Sequence, residues 1–398
     1  MKAARAPFVL ASFVAVAIAW TVGPSVSAGG HHGGFGKPLE GLSMDERKLF
    51  RDGKDEFEQV QSVASGLGPI FNNVSCVACH SVPAVGGSSP ITETRAQRVV
   101  GGNHFELPGG SLFQSNAISP DCRETVPADA NVTAQRQTTP LFGVGLIEAI
   151  PDSEIESYRA EQASAHPEQA GVVNRVIDPV SGLSRVGRFG WKAQQATLLA
   201  FSGDAYVNEM GITNRIFPFE NAPNGNAGKL SACDTVPDPE DTGDDIVAFE
   251  NFMRLLAPPP RDDERDHDGD RGREASRGGR GRRVFEKIGC AVCHPGGFTT
   301  VSRVAAINGK TVDAFSDFLL HDVGTGDGII QGDAAANLLR PPPLWGVSES
   351  APYLHDGSAG TIREAIRRHS NQGAAARKAF QDLSHEEQEA LLEFLDSI

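Results

Sequence analysis

Two pentapeptides constrain this chain more than anything else in it: Cys-Val-Ala-Cys-His at residues 76–80 and Cys-Ala-Val-Cys-His at residues 290–294. Two thiols three residues apart lie on one side of a helical turn. Each can add to one vinyl group of a haem, and the histidine that follows comes under the iron as proximal ligand. A redox dithiol or half of a zinc site also uses a Cys-x-x-Cys pair, but neither requires a histidine directly after each pair. The spacing therefore predicts two covalently bound haem c groups, one on Cys76, Cys79 and His80, the other on Cys290, Cys293 and His294. Such groups are large and apolar, and they supply core that side chains need not build. That suits a chain with 44 Gly, 25 Pro and only 7% aromatic residues. The expected fold class is mainly α: two cytochrome c-like helical haem domains with long irregular loops.

The first residues read as an export leader. Lys2 and Arg5 precede an apolar run from Phe8 to Val22, and Val26-Ser27-Ala28 is a small-x-small cleavage site. The run is short for a membrane span. The expectation is a periplasmic protein cleaved near Ala28, with no stable membrane span in the mature chain. The formal net charge of -15 becomes more negative once Lys2 and Arg5 are removed, which argues against nucleic acid as a partner. It suits a positively charged redox partner protein, although acidic surfaces also simply keep exported proteins dissolved. Beyond the two pentapeptides only Cys122 and Cys233 remain, and a disulfide between them is expected in an oxidising compartment.

The remaining sequence divides around a charged stretch. Residues 29–42 read as a flexible tail, 43–260 as the N-terminal haem domain with insertions, 261–280 as a solvated linker, and 281–398 as the C-terminal haem domain. Residues 261–283 hold eight Arg, seven acids and five Gly, too polar to fold alone. Helices are expected from a capped start at Ser43, over 152–164, over 191–201, over 244–256 before Pro258-Pro259-Pro260, and from His385 to Ile398. The stretch 85–240 shows no clear repeat.

The coordination position opposite each proximal histidine decides what such haems do. Two strong protein ligands favour electron transfer, and an open position admits a small substrate. His369 lies near the end of a predicted helix after the Gly357 turn. For the N-terminal haem the sequence nominates no ligand, and His104, Met210 and Lys192 stay open.

Several segments carry a family resemblance: residues 68–83 around the first pentapeptide, Gly-Arg-Phe-Gly-Trp-Lys-Ala-Gln (187–194), Ser-Asp-Phe-Leu-Leu-His-Asp-Val-Gly (316–324), Pro-Pro-Leu-Trp-Gly (342–346) and Ala-Pro-Tyr-Leu-His-Asp-Gly (351–357). In these the chain resembles the bacterial di-haem oxidoreductases, often labelled thiol oxidoreductases and related to the di-haem cytochrome c peroxidases and MauG-like proteins. The resemblance runs from about residue 40 to 398. It implies that His369 stands where the peroxidases carry a distal Met, giving the C-terminal haem two histidine ligands and a lower potential. It implies that Trp191 lies between the haems and that Glu209, in Glu209-Met210-Gly211, is the acid/base over the N-terminal haem. His321 and His355 match residues near the C-terminal haem, where packing is expected rather than ligation. Calcium is implied near Ser350 and Pro352. The function implied is a periplasmic oxidoreductase that passes electrons from the C-terminal to the N-terminal haem, with peroxide as the best substrate guess and a cytochrome or cupredoxin-like donor. The alternative is a non-catalytic electron-transfer protein. The thiol label finds little support, because Cys122 and Cys233 lack the spacing of a redox dithiol.

Overall fold

The computed structural model of the chain describes residues 34–261 and 271–398, as backbone only over 271–278. The leader read at 1–28, its cleavage near Ala28 and the linker core at 262–270 lie outside the described residues.

Helices outweigh strands, and long irregular stretches join them. The helices that matter for the sites are α1 (Met44–Glu58), α2 (Val144–Glu148), α3 (Asp152–Ala165), α4 (Leu198–Met210), α5 (Ala227–Cys233), α6 (Asp244–Leu255), α7 (Arg271–Lys287), α8 (Ile362–Arg368), α9 (Ala374–Asp382) and α10 (His385–Ser397). Ser43 caps α1 in a full capping box with Glu46, and Ser384 caps α10 the same way with Glu387. Two helix pairs frame the two pentapeptides. α1 crosses α6 at Gly53, where a Cβ would overlap the Ala248 carbonyl. α7 crosses α10 at Gly281, where a Cβ would overlap the Ala390 carbonyl and Phe394. The backbones approach closely only because glycine stands at each crossing.

Three expectations need correction. Residues 34–42 are no tail: Phe35, Leu39 and Leu42 are buried, and Leu39 N–H donates to Leu255 O at 2.8 Å, so the segment straps the end of α6. The helix expected over 191–201 begins only at Leu198. Thr197 caps it, and Trp191–Ala196 forms a tight turn with Ala193 in the left-handed region (φ 50°). The apolar residues near 196–201 gave the helical pattern, but Lys192 is buried and Asn174 Nδ2 donates to the Lys192 and Ala193 carbonyls, which holds this stretch in a turn. Within the charged stretch, residues 271–280 belong to α7.

The middle region also contains an antiparallel sheet that the mainly α expectation did not include. β1 (Ile70–Phe71) pairs with β5 (Asn116–Ala117), and β2 (Thr92–Val100) pairs with β3 (Asn103–Phe105), β4 (Leu112–Phe113) and β6 (Val132–Gln137). In register, Glu93 faces Arg136 and Arg95 faces Ala134. Strand β2 reads Thr-Glu-Thr-Arg-Ala-Gln-Arg-Val-Val. It lacks the apolar alternation by which strands are recognised, because it turns charged side chains inward. Among the described residues no helix is long and apolar enough to cross a membrane. The main hydrophobic core is continuous from Phe35 and α1 through α4 and α6 to Phe298, Phe318 and Trp345. A second cluster joins Val284, Phe285, Phe315, Phe380, Leu391 and Phe394.

Candidate functional site

Each pentapeptide forms the same local structure. Cys76–Ala78 and Cys290–Val292 are single 3₁₀ turns, and in each the histidine N–H donates to the first cysteine's carbonyl at 3.0 Å. The turn sets both sulfurs and the imidazole on one wall. His80 Nδ1 lies 3.0 Å from Gly87 O, and His294 Nδ1 lies 2.8 Å from Phe315 O. A carbonyl only accepts, so Nδ1 carries the hydrogen and Nε2 keeps its lone pair for a metal. Burial pushes both histidines down to about 4, so they stay neutral. Burial pushes the Cys76 and Cys290 thiols up to about 12. Such thiols make poor redox nucleophiles, so neither pair behaves as an exposed dithiol.

Two large cavities lie against these turns. The first, about 1410 Å³, is lined by Cys76, Cys79, His80 and Glu209. The second, about 1580 Å³, is lined by Cys290, Cys293, His294 and His369. Trp191, Gln137, Thr138 and Thr139 line both, so they form the wall between them. Trp191 Nε1–H donates to Gln137 O at 2.9 Å, and its ring meets the His355 ring edge to face with centroids 6.3 Å apart. Arg340 N–H holds the Trp191 carbonyl at 2.9 Å.

The second cavity has a histidine besides His294 with a free Nε2. His369 follows α8 directly, and its Nδ1 lies 2.8 Å from Ala365 O, which repeats the arrangement of His80 and His294. His321 and His355 also line this cavity. His321 Nε2 bonds Asp317 at 2.8 Å, and Asp317 outweighs burial to push it up to about 10. It is committed to its carboxylate. Helix α3, which belongs to the N-terminal half, reaches across to this site: Tyr158 O–H donates to Val292 O at 2.9 Å and Gln162 Nε2 at 2.6 Å. Ser350, nominated for calcium, gives its hydroxyl to Gly346 O at 3.1 Å.

The first cavity presents a carboxyl group. Glu209, at the end of α4, accepts from Asn72 Nδ2 at 2.7 Å, and burial together with the neighbouring Glu93 pushes it up to about 8. Of the three residues left open as ligands, His104 bonds Gln97 on the sheet at 3.2 Å. Lys192 donates to the carbonyls of Ala335, Ala336 and Leu338 and pairs with Asp327 at 3.0 Å. Met210 alone lines the first cavity, and no sixth ligand is assigned there. Sequence reasoning missed Glu93, Arg95, Asp204 and Arg136, which line the same cavity. The Glu-x-Arg step of β2 was the available signal, hidden by the lack of apolar alternation.

The donor set fits a haem in each cavity. Paired sulfurs and a neutral imidazole with a free Nε2 share one wall in both. In the second, Arg377 Nε is buried without a hydrogen-bond partner and the fully buried Arg340 lines the same space, so a carboxylate-bearing ligand would complete both. Cys122 and Cys233, far from both cavities in role, form the expected disulfide, with Cα atoms 5.9 Å apart.

Residues 113–398 match the family described as "Di-haem oxidoreductase, putative peroxidase". The chain belongs to this family. It is similar in structure to hydrazine synthase of Kuenenia stuttgartiensis (15% identity, TM-score 0.44, covering 98% of this chain and 99% of that one). It is also similar to a MauG-like protein associated with microbial copper homeostasis (15%, 0.41, 90% and 92%) and to a variant of the di-haem peroxidase BthA of Burkholderia thailandensis (14%, 0.39, 88% and 85%). No curated protein sequence matches the chain.

Proposed function

We propose that this member of the di-haem family is an exported oxidoreductase with two covalent haem c groups, held by Cys76, Cys79 and His80 and by Cys290, Cys293 and His294. Each half, 43–260 and 281–398, is read as a cytochrome c-like unit around one of them. One observation carries the reading: the two cavities share the Trp191 wall but differ in what faces the proximal histidine's cavity, a second imidazole in one and a carboxyl group in the other.

Bound haem supplies one-electron chemistry and, where a coordination position is open, a place for a small oxygen ligand. The protein's own residues divide the work. His294 and His369 would both hold the haem in the second cavity, and a haem held by two imidazoles would suit electron entry rather than substrate binding. Trp191 spans the wall towards the N-terminal site. There Glu209, a proton donor at neutral pH, sits where a peroxide-like substrate would bind and can move a proton between its oxygens. Burial around Glu209 excludes bulk water and keeps that proton available. Export to the periplasm is supported by the leader and by the Cys122–Cys233 disulfide, which persists in an oxidising compartment. A small cytochrome or cupredoxin suits the acidic chain as donor. Calcium near Ser350 and Pro352 stays part of the proposal, since the Ser350 hydroxyl gives its hydrogen to Gly346 O and keeps its lone pairs.

Optical and EPR spectra of the oxidised protein test the reading. One low-spin haem and one high-spin haem that responds to peroxide or cyanide are expected. Two low-spin haems that neither reagent alters would leave a non-catalytic electron carrier and overturn the proposal.

A further inference from the structure

Glu209 has a carboxyl neighbour. Glu93, on β2, lines the same cavity, close enough for the two carboxyl charges to act on one another. The two groups differ in what surrounds them. Arg95 Nε and Nη2 donate to the two Glu93 oxygens at 2.8 and 3.1 Å. Arg136, opposite Glu93 in the β2–β6 register, places Nη1 3.9 Å from the same carboxylate. Arg136 is itself fixed by Asp327 at 2.7 Å, and Asp327 by Lys192 at 3.0 Å. Glu209 accepts from the neutral Asn72 amide and feels the Arg95 charge without a hydrogen bond to it among the described residues. Asp204, on the same helix, turns to Asn208 and feels Arg95. Cys76 and Cys79 line the same cavity.

Two neighbouring carboxyl groups facing one cavity favour holding a single proton between them, because two adjacent anions repel. Burial raises Glu93, but Arg95 and Arg136 outweigh it and hold it below the usual carboxylate range. Both guanidiniums sit on the Glu93 side, so the proton belongs to Glu209.

We propose that Glu93 is a positioning residue for Glu209: a carboxylate fixed by Arg95 and Arg136 that accepts the Glu209 hydrogen bond and keeps that proton facing the first cavity. The inference rests on the reading of Glu209 as the acid/base at the N-terminal haem, and it adds the group that orients and loads it. Without Glu93, Glu209 loses both the repulsion and the acceptor that favour its neutral form. Its proton then leaves at lower pH, although burial alone still holds it above an ordinary glutamate.

The test uses the full, haem-loaded chain and follows the carboxylic acid carbonyl band by infrared difference spectroscopy against pH. Glu209→Gln identifies the band. In Glu93→Gln its titration midpoint is expected to fall by about one to two pH units, and the alkaline limb of the peroxide response to fall with it. Glu93→Asp keeps the charge on a shorter stem and is expected to give an intermediate midpoint; it carries the test if Glu93→Gln fails to load haem. A purely structural role would lower haem content or rate at every pH and leave the midpoint fixed. An unmoved midpoint in the Glu93 variants overturns the inference and leaves the Glu209 reading intact. If Glu209→Gln removes no band and leaves the peroxide response unchanged, the reading of Glu209 fails first.

Discussion

Lys192 is the least expected side chain in the molecule. It is fully buried, sits next to Trp191, and ends on three carbonyl oxygens, Ala335 at 3.0 Å, Ala336 at 3.2 Å and Leu338 at 2.8 Å, with Asp327 at 3.0 Å. Burial pushes its ammonium below the ordinary lysine value, while Asp327 holds the charge on it. Lys192→Met keeps the stem and removes the charge. Asp327 retains Arg136, so it is not stranded alone, but three buried carbonyls lose their donor. Breaking one side of a buried pair costs about 3–5 kcal/mol, and each orphaned buried acceptor adds on the order of 1 kcal/mol or more, not additively. A loss of about 4 kcal/mol is therefore expected. Urea unfolding of the haem-loaded protein, read by the Soret band and far-ultraviolet dichroism together, measures it. The double variant Lys192→Met/Asp327→Asn should lose less than the sum of the singles, since each removes the reason for the other. A loss under about 1 kcal/mol in the single variant would falsify the argument, because it would mean that water reaches the wall between the two cavities.

Three further outcomes are expected. His369→Met keeps the second haem attached, since Cys290 and Cys293 are untouched, and raises its potential; an unchanged potential and spectrum in a redox titration removes His369 from the ligand set. Replacing Cys122 and Cys233 together costs stability, about 2–5 kcal/mol for a bond that closes a long loop, but leaves the peroxide response unchanged; loss of turnover in protein that remains folded would restore thiol chemistry. Gly281→Ala drives a methyl group into the Ala390 carbonyl and destabilises the α7–α10 crossing by about 1–3 kcal/mol, whereas Gly279→Ala, with only the Arg283 side chain at 3.6 Å, is neutral or stabilising. Equal thermal midpoints for those two variants would show that the crossing is not tight.

What the sequence revealed and what it hid follow from the range of the interactions. The two Cys-x-x-Cys-His turns were legible because their residues lie within five positions, and α1, α6 and α10 because caps or apolar steps are local. The positions of Trp191 and Glu209 on one cavity came only through resemblance, because nothing within their own segments says what they face. The charged wall was not legible at all. Glu93 meets Arg136 across strands and Arg136 meets Asp327 from 191 residues away. A charged strand is read by default as a solvated one, and only the tertiary fold reveals that its charges neutralise one another inside. The same holds for residues 34–42: Phe35, Leu39 and Leu42 are too sparse to show a period, yet each finds a hole in the core.

The two halves share a holder and differ in what the rest of the chain adds to it. In each, a helix with a glycine at its crossing precedes the Cys-x-x-Cys-His turn, a terminal helix packs across it, and a backbone carbonyl orients the imidazole. These parts use only local sequence and could be repeated without altering each other. The differences come from elsewhere. The short helix α8 ends at an imidazole whose Nδ1 is already bound, so that Nε2 is the nitrogen of this ring left to serve the second cavity. Helix α4 and the sheet instead bring a pair of carboxyl groups to the first, with two arginines weighting one of them towards the anion. A neutral imidazole donates electron density to a metal and competes with any substrate for its site. A protonated carboxyl group does neither, and it carries a proton that a reducible substrate needs. On the proposed reading the asymmetry of function is therefore written in what each half adds to a common holder: an imidazole after α8 in the second, and an acid from α4 and the sheet in the first.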